Sequence, residues 1–260
     1  MITSKTNQYI KLYGELQKKK YRHEYGLFPA EGKRLIEDLM ENGLIPHVIL
    51  YSETFTDIAF LEKNCIKSDQ CFMVADSIFK NLTDTQNPQG IVGAFPVMCP
   101  KFADFTPKAP SLILVLNAVQ DPGNLGAIIR NSAAAGISAL ILEDGTVDLY
   151  NPKVIRATMG AIAKIPIFYD LDFKEIYQGL KSKKIEIFLS DMVGDYPYWE
   201  IPINRPLAVV LGNEGNGISA NWHEKKLGKI YIPQANGVES LNVAMVGGII
   251  ALDFRRRCLN

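Results

Sequence analysis

Residues 207–257 read LAVVLGNEGNGISANWHEKKLGKIYIPQANGVESLNVAMVGGIIALDFRRR. An unbroken apolar run, 207–211, ends in Gly212-Asn213-Glu214-Gly215-Asn216-Gly217. A shorter run, 230–232, ends in Pro233 and a glycine-bearing loop. Glu239-Ser240-Leu241-Asn242 then opens a long apolar helix over about 242–257. Continuous apolar strands that each open into a polar, glycine-rich loop predict a ligand site at the carboxyl edge of a parallel sheet. The glycine spacing, G-x-x-G-x-G, is not the dinucleotide fingerprint, and no Lys-Ser/Thr follows as in a phosphate-binding loop. These glycines still let the backbone approach a ligand closely. Glu214 puts a carboxylate at the mouth of a buried strand, where it either serves a site or is a solvated loop charge. Ser240 and Asn242 fit either a site or a helix N-cap.

Working back from this stretch, 112–116 is a second buried strand, opening into Asn117-Ala118-Val119-Gln120-Asp121-Pro122-Gly123-Asn124. Asp121 followed by Pro122 is an N-cap and first-turn pair. The helix it starts runs to about Ala135, and Gly136 ends it before a strand at 139–142. That is one parallel crossover unit. Asn124 and Arg130 are six residues apart, under two helical turns. An arginine near a helix N-terminus can grip phosphate, although a turn asparagine and a solvated arginine are equally ordinary. Strands at 165–169 and 185–190, and helices at 151–163 and 173–181, continue the alternation. Residues 193–203 read as a surface loop.

The first 95 residues predict a separate, smaller α/β domain. A helix covers residues 1–25, capped by Ser4 or Thr6. Strands follow at 26–30, 48–51, 71–75 and 90–95. Helices follow at 31–42, 57–68 and 77–82, the last capped by Asp76. Residues 1–34 hold eight Lys/Arg against three Asp/Glu, which suits either a phosphate-contacting surface or a solvated helix face. Four prolines in 96–110 mark an extended linker. The expected division is thus 1–96, a linker at 97–110, and 111–260.

Several classes are excluded. Equal counts of 28 basic and 28 acidic residues give no support to a globally basic nucleic-acid binder, while leaving room for a local patch. Four scattered cysteines without C-x-x-C spacing, and only three histidines, argue against zinc and predict free thiols in a reducing cytoplasm. No run approaches about 18 apolar residues, so no membrane span is expected, and the N-terminus has no apolar signal core. No His or Cys is spaced as a partner to Ser240 for a hydrolytic triad.

Three stretches, NAVQDPGNLGAIIRNSAAAGI (117–137), VVLGNEGNGIS (209–219) and IPQANGVESLNVAMVGGIIALDF (232–254), resemble the SpoU/TrmH family of RNA ribose 2′-O-methyltransferases, within the SPOUT superfamily, in order and spacing. The intervening NPKVIRATMGAI is similar as well, with Thr158 where the family more often has serine. KKKYRHEYGLFPAEGKRL and TDTQNPQGI resemble the family's appended RNA-binding domain.

The resemblance implies a C-terminal α/β trefoil-knot domain with a parallel sheet, a small N-terminal α/β RNA-binding domain, and a homodimer. It implies S-adenosylmethionine as methyl donor, no metal, and rRNA in preference to tRNA as substrate. Backbone around Gly212, Ile232 and Leu241 is expected to hold the adenosine, with Leu211 and Val243 lining the pocket and Asn213, Gly217 and Pro233 completing the set. Arg130, Asn124, Glu214, Ser240 and Asn242 match the polar catalytic positions. Lys18, Lys19, Lys20, Arg22 and Arg34 are the expected RNA contacts. A guanidinium gives up its proton with difficulty, so Arg130 is better suited to hold phosphate and the developing alkoxide than to act as base. A non-catalytic RNA binder that keeps the fold is the alternative. A dinucleotide oxidoreductase fits the alternation but fails on the glycine pattern.

Overall fold

The computed structural model of the chain describes residues 1–64, 70–83, 88–235 and 240–259. In chain order the first elements are α1 (Gln8–Glu15), α2 (Lys19–Tyr25), β1 (Leu27–Glu31), α3 (Lys33–Glu41), β2 (Val48–Ser52), α4 (Ile58–Asn64), β3 (Cys71–Val74), α5 (Asp76–Phe79) and β4 (Ile91–Pro96). Then follow β5 (Ser111–Leu116), α6 (Pro122–Ala135), β6 (Ala139–Glu143), α7 (Pro152–Thr158), β7 (Ile167–Leu171), α8 (Phe173–Ser182) and β8 (Glu186–Ser190). The last are β9 (Tyr196–Pro197), β10 (Pro206–Leu211), α9 (Ala220–His223), β11 (Gly228–Tyr231) and α10 (Val243–Leu259). The chain forms two compact units, Met1–Met98 with Tyr150–Ala163, and Cys99–Leu149 with Lys164–Asn260.

In the first unit a four-stranded sheet has the order β1-β4-β2-β3, antiparallel except for the parallel β2/β3 pair. Three expectations change here. The single N-terminal helix is two, because α1 ends at Leu16 and α2 restarts after Lys18. The buried Arg22 side chain donates to the Leu16 carbonyl at 2.7 Å and closes that break. Asn7, not Ser4 or Thr6, caps α1 by accepting from Tyr9 N–H. Asp76 lies inside α5 rather than capping it, and its carboxylate accepts from Glu53 N–H.

Residues 150–163, expected with the C-terminal domain, pack in this first unit instead. Tyr150 stacks on Phe28, and Gly160 sits against Asp38 with no room for a Cβ. Cys71 is disulfide-bonded, which corrects the expectation of free thiols throughout, whereas Cys99 and Cys258 are free. The expected helix beyond residue 64 and residues 84–87 of TDTQNPQGI fall outside the described residues.

In the second unit seven parallel strands run in the order β7-β6-β5-β10-β8-β11-β9. The edge strand β9 and a 3₁₀ turn at Tyr198–Glu200 lie within 193–203, where a plain loop was expected. β5 is buried along its whole length because both faces of the sheet are covered, which is why its sequence does not alternate. Ile113 and Val115 face one core with Phe168, Ile176, Leu180 and Trp222. Leu114 points the other way, to the Gly247 contact between α6 and α10. The proline-rich segment is not a free tether. Its Phe102 is buried in the first of these cores, against Phe168 and Gly179, and Lys183 donates to the Ala103 carbonyl.

Gly247 is a packing residue. A Cβ there would meet Leu211 Cδ1 at 3.0 Å, with Ile128 and Leu114 behind it. Gly247→Leu should therefore lower stability by roughly 1–3 kcal/mol through overpacking. Urea unfolding will read this as a lower midpoint, and an unchanged midpoint would show that α10 is not held this closely.

Candidate donor pocket and polar site

The polar site is built from the carboxyl ends of β5, β8 and β10 and the start of α10. At β10 the chain turns at Gly212, and Asn213 and Gly217 exchange two backbone hydrogen bonds of 2.9 Å. The Asn213 side chain locks this turn from inside, accepting from Gly215 N–H at 2.9 Å and Asn216 N–H at 3.0 Å. Its amide also donates to the Ala118 carbonyl at 2.7 Å, tying the turn to the loop after β5. The fold places Gly217 in the left-handed region, φ 67°, where glycine carries no Cβ penalty.

Three polar side chains far apart in sequence form a chain of hydrogen bonds. Asn124 donates to Glu214 Oε1 at 2.8 Å, and Asn242 donates to Asn124 Oδ1 at 2.9 Å. The Asn242 oxygen accepts from Ala244 N–H and Met245 N–H, so Asn242 caps α10 while holding Asn124. Asn124 is in turn placed by the Asp121 carboxylate, which accepts its backbone N–H. Asn242 thus caps the helix with its oxygen and builds the site with its NH₂, so the two readings of this residue do not exclude each other.

A cavity of about 620 Å³ opens beside this chain. Leu211, Gly212, Asn213, Gly217, Ile232, Leu241 and Val243 line it, together with Glu214, Ser240 and Asn242. Pro233 is not part of the lining. The sequence reading missed the far end of the cavity, which holds Asp191, Met192 and His223. Burial pushes the Asp191 carboxyl up, but the Lys229 ammonium at 2.9 Å and the Met192 N–H at 2.7 Å outweigh it and hold the group below the usual carboxylate range. The signal for Asp191 was its place one residue past the end of β8, the same place that Gly212 holds past β10.

Arg130 is exposed on α6 and does not line the cavity. Lys18, Lys19, Lys20 and Arg34 are exposed on the first unit, whereas Arg22 is buried and works within that unit, which removes it from the expected RNA contacts. Glu239 and its neighbours at 236–238 lie outside the described residues. Among the described residues, no three His, Cys, Asp or Glu side chains group to hold a metal ion, and no helix is long and apolar enough to cross a membrane.

A parallel α/β sheet with a half-polar cavity of this size at its carboxyl edge defines a protein that binds a small organic molecule. Gly212, Asp191 and Glu214 are among its lining residues, with the Asp191 carboxylate ion-paired to Lys229 and the Glu214 carboxylate bonded to Asn124. Comparison with known proteins makes this specific. Residues 111–252 match the SpoU rRNA Methylase family, and residues 7–93 match the MRM3-like substrate binding domain. The chain is 32% identical over 255 residues to the 23S rRNA (guanosine(2553)-2′-O)-methyltransferase RlmP of Bacillus subtilis, covering 98% of both proteins. It is 28% identical to the human rRNA methyltransferase 3, mitochondrial, over 91% of this chain and 69% of that protein. The AdoMet-bound rRNA methyltransferase of Sinorhizobium meliloti superposes over 100% of this chain and 98% of that one, with a TM-score of 0.89 and 30% identity. The chain belongs to the SpoU rRNA methylase family. It is an RNA methyltransferase, and its methyl donor is S-adenosylmethionine.

Proposed function

We propose that the chain methylates a ribose 2′-OH of large-subunit rRNA, with the donor bound in the cavity lined by Gly212, Ile232 and Leu241. The observation that carries this reading is the hydrogen-bonded chain Glu214–Asn124–Asn242 at the edge of that cavity. A cavity of about 620 Å³ with Gly212, Gly215 and Gly217 in its lining supports this reading. The donor supplies an activated methyl on a sulfonium. What the protein must add is in-line placement of the hydroxyl and help as its proton leaves. Asn124 and Asn242 orient the ribose, Glu214 fixes the Asn124 amide, and Ser240 offers a hydroxyl at the cavity wall. Arg130 binds the neighbouring phosphate and stabilises the alkoxide as it forms.

Arg130 stands outside the cavity of its own chain, which supports a site completed by a second copy. A stripe of exposed apolar side chains on α10, Met245, Leu252 and Leu259, recurs every seven residues and supports the same reading. The reading includes a homodimer, a knotted C-terminal domain and action in the cytoplasm. Large-subunit rRNA is preferred to tRNA because the chain matches RlmP over nearly its full length.

The test is transfer of labelled methyl from S-adenosylmethionine to purified rRNA and tRNA, with 2′-O-methylnucleoside analysis of the product. Retained RNA binding with no product on any RNA would instead establish a non-catalytic binder. In the first unit, changing Lys18, Lys19 and Lys20 together to alanine should reduce the slope of log affinity against log salt by about 2–3. An unchanged slope would take these lysines off the RNA.

A further inference from the structure

The loop after β10 is held from behind by a residue that does not touch the cavity. Every residue of 211–218 lines the cavity, and Asn117 does not. Asn117 follows β5 directly and is only 3% exposed. Its backbone N–H donates to the Leu211 carbonyl at 2.9 Å, where the loop leaves the sheet. Its side-chain oxygen accepts from Ser219 N–H at 2.7 Å, where the loop returns. One residue thus holds both ends of 212–218.

The two ends are not equally secure. Leu211 closes β10 and pairs in register with Leu116, so sheet pairing keeps the outgoing end in place. The Asn213 amide, bonded to the Ala118 carbonyl at 2.7 Å, adds to that hold. Ser219 belongs to no strand, and its buried hydroxyl makes no hydrogen bond among the described residues. Beyond it, α9 is anchored by the fully buried Trp222, whose indole N–H donates to Glu143 Oε2 at 2.7 Å. That anchor fixes the helix and leaves the returning end to the Asn117 side chain. An amide NH₂ cannot accept, so the Asn117 oxygen must face the Ser219 N–H. A buried N–H without an acceptor is costly, so this bond favours one position of the loop.

We propose that Asn117 is a positioning residue for the donor: by accepting from Ser219 N–H, its side-chain oxygen sets the returning end of the loop 212–218 that lines the donor cavity. This inference rests on the donor occupying that cavity. Asn117 acts through the loop and is not one of the reacting groups, so its effect falls on donor affinity. Saturating donor restores the loop position and with it the rate.

Two variants remove the bond from opposite sides. Asn117→Ala takes away the acceptor. Ser219→Pro takes away the donor at a backbone φ of −66°, which proline adopts. For each, S-adenosylhomocysteine binding measured by calorimetry should weaken about tenfold. KM for S-adenosylmethionine should rise in step, while kcat changes less than about threefold. The double variant has lost the same single bond, so it should bind within about threefold of Asn117→Ala alone. An Asn117→Ala protein that binds as the unmodified one does overturns the inference. So does a double variant weakened about 100-fold, which would mean two independent effects. A fall in kcat as large as the rise in KM, the mark of a merely structural role, overturns it too. If Asn117→Ala does not fold, Ser219→Pro decides: unchanged donor binding, or failure of this variant to fold as well, overturns the inference. Failure of the unmodified protein to bind S-adenosylhomocysteine would instead reject the donor cavity itself.

Discussion

Gly212→Ala will weaken donor binding by at least about 100-fold, equivalent to roughly 2.8 kcal/mol. A Cβ at residue 212 would lie 2.4 Å from the carbonyl carbon of Gly217 and 2.5 Å from the Ile218 nitrogen. Both are backbone atoms, and the paired hydrogen bonds between Asn213 and Gly217 hold that backbone in place. No rotamer change can relieve the clash, so the turn must open. Opening it moves the cavity lining and breaks the Asn213 contacts to Gly215, Asn216 and Ala118. The fold itself is less exposed to the change, because β10 is already complete at Leu211. Calorimetry with S-adenosylhomocysteine, beside circular dichroism to confirm folding, measures the effect. Affinity within about threefold of the unmodified protein would mean that this turn does not shape the donor site.

Arg130→Ala should have the complementary effect. Turnover should fall about 10³-fold, the upper range for loss of a group that stabilises developing charge. Donor affinity should stay within about twofold, because Arg130 is no part of the cavity lining. Arg130→Lys keeps the charge but loses the planar fork, and should recover only part of the turnover. Single-turnover rates with saturating donor and RNA separate these effects from binding. Loss of donor affinity along with turnover would assign Arg130 a structural role on α6.

The two variants probe halves of the site that differed in how far the sequence disclosed them. Strands β5, β6 and β10 were legible because burial on both faces leaves continuous apolar runs, and their terminal loops were legible through Asp121-Pro122 and the glycines after Leu211. Asn124 and Asn242 could be singled out, yet the bond between them could not. They are 118 residues apart, and only the strand order β5-β10-β8 brings α6 and α10 together. Glu143 and Trp222 gave no signal at all. A glutamate one residue past an apolar run looks like a strand end entering solvent, and only the packing of α9 beneath the sheet buries it. Arg22 was misjudged for a related reason: within KKKYRH it reads as one more surface charge, but the helix end at Leu16 leaves a carbonyl that its guanidinium satisfies. The 150–163 segment was read with its sequence neighbours, whereas Tyr150 and Gly160 find their partners, Phe28 and Asp38, in the first unit.

Methyl transfer to a ribose 2′-OH of large-subunit rRNA leaves a mark that can be mapped. The most direct measurement maps 2′-O-methyl sites across total RNA from cells that carry the gene and from cells that lack it. The proposal predicts that one or more 2′-O-methyl marks in large-subunit rRNA vanish without the gene, return with the unmodified protein, and stay absent with Arg130→Ala. An unchanged 2′-O-methyl map, or a lost mark confined to tRNA, would contradict it.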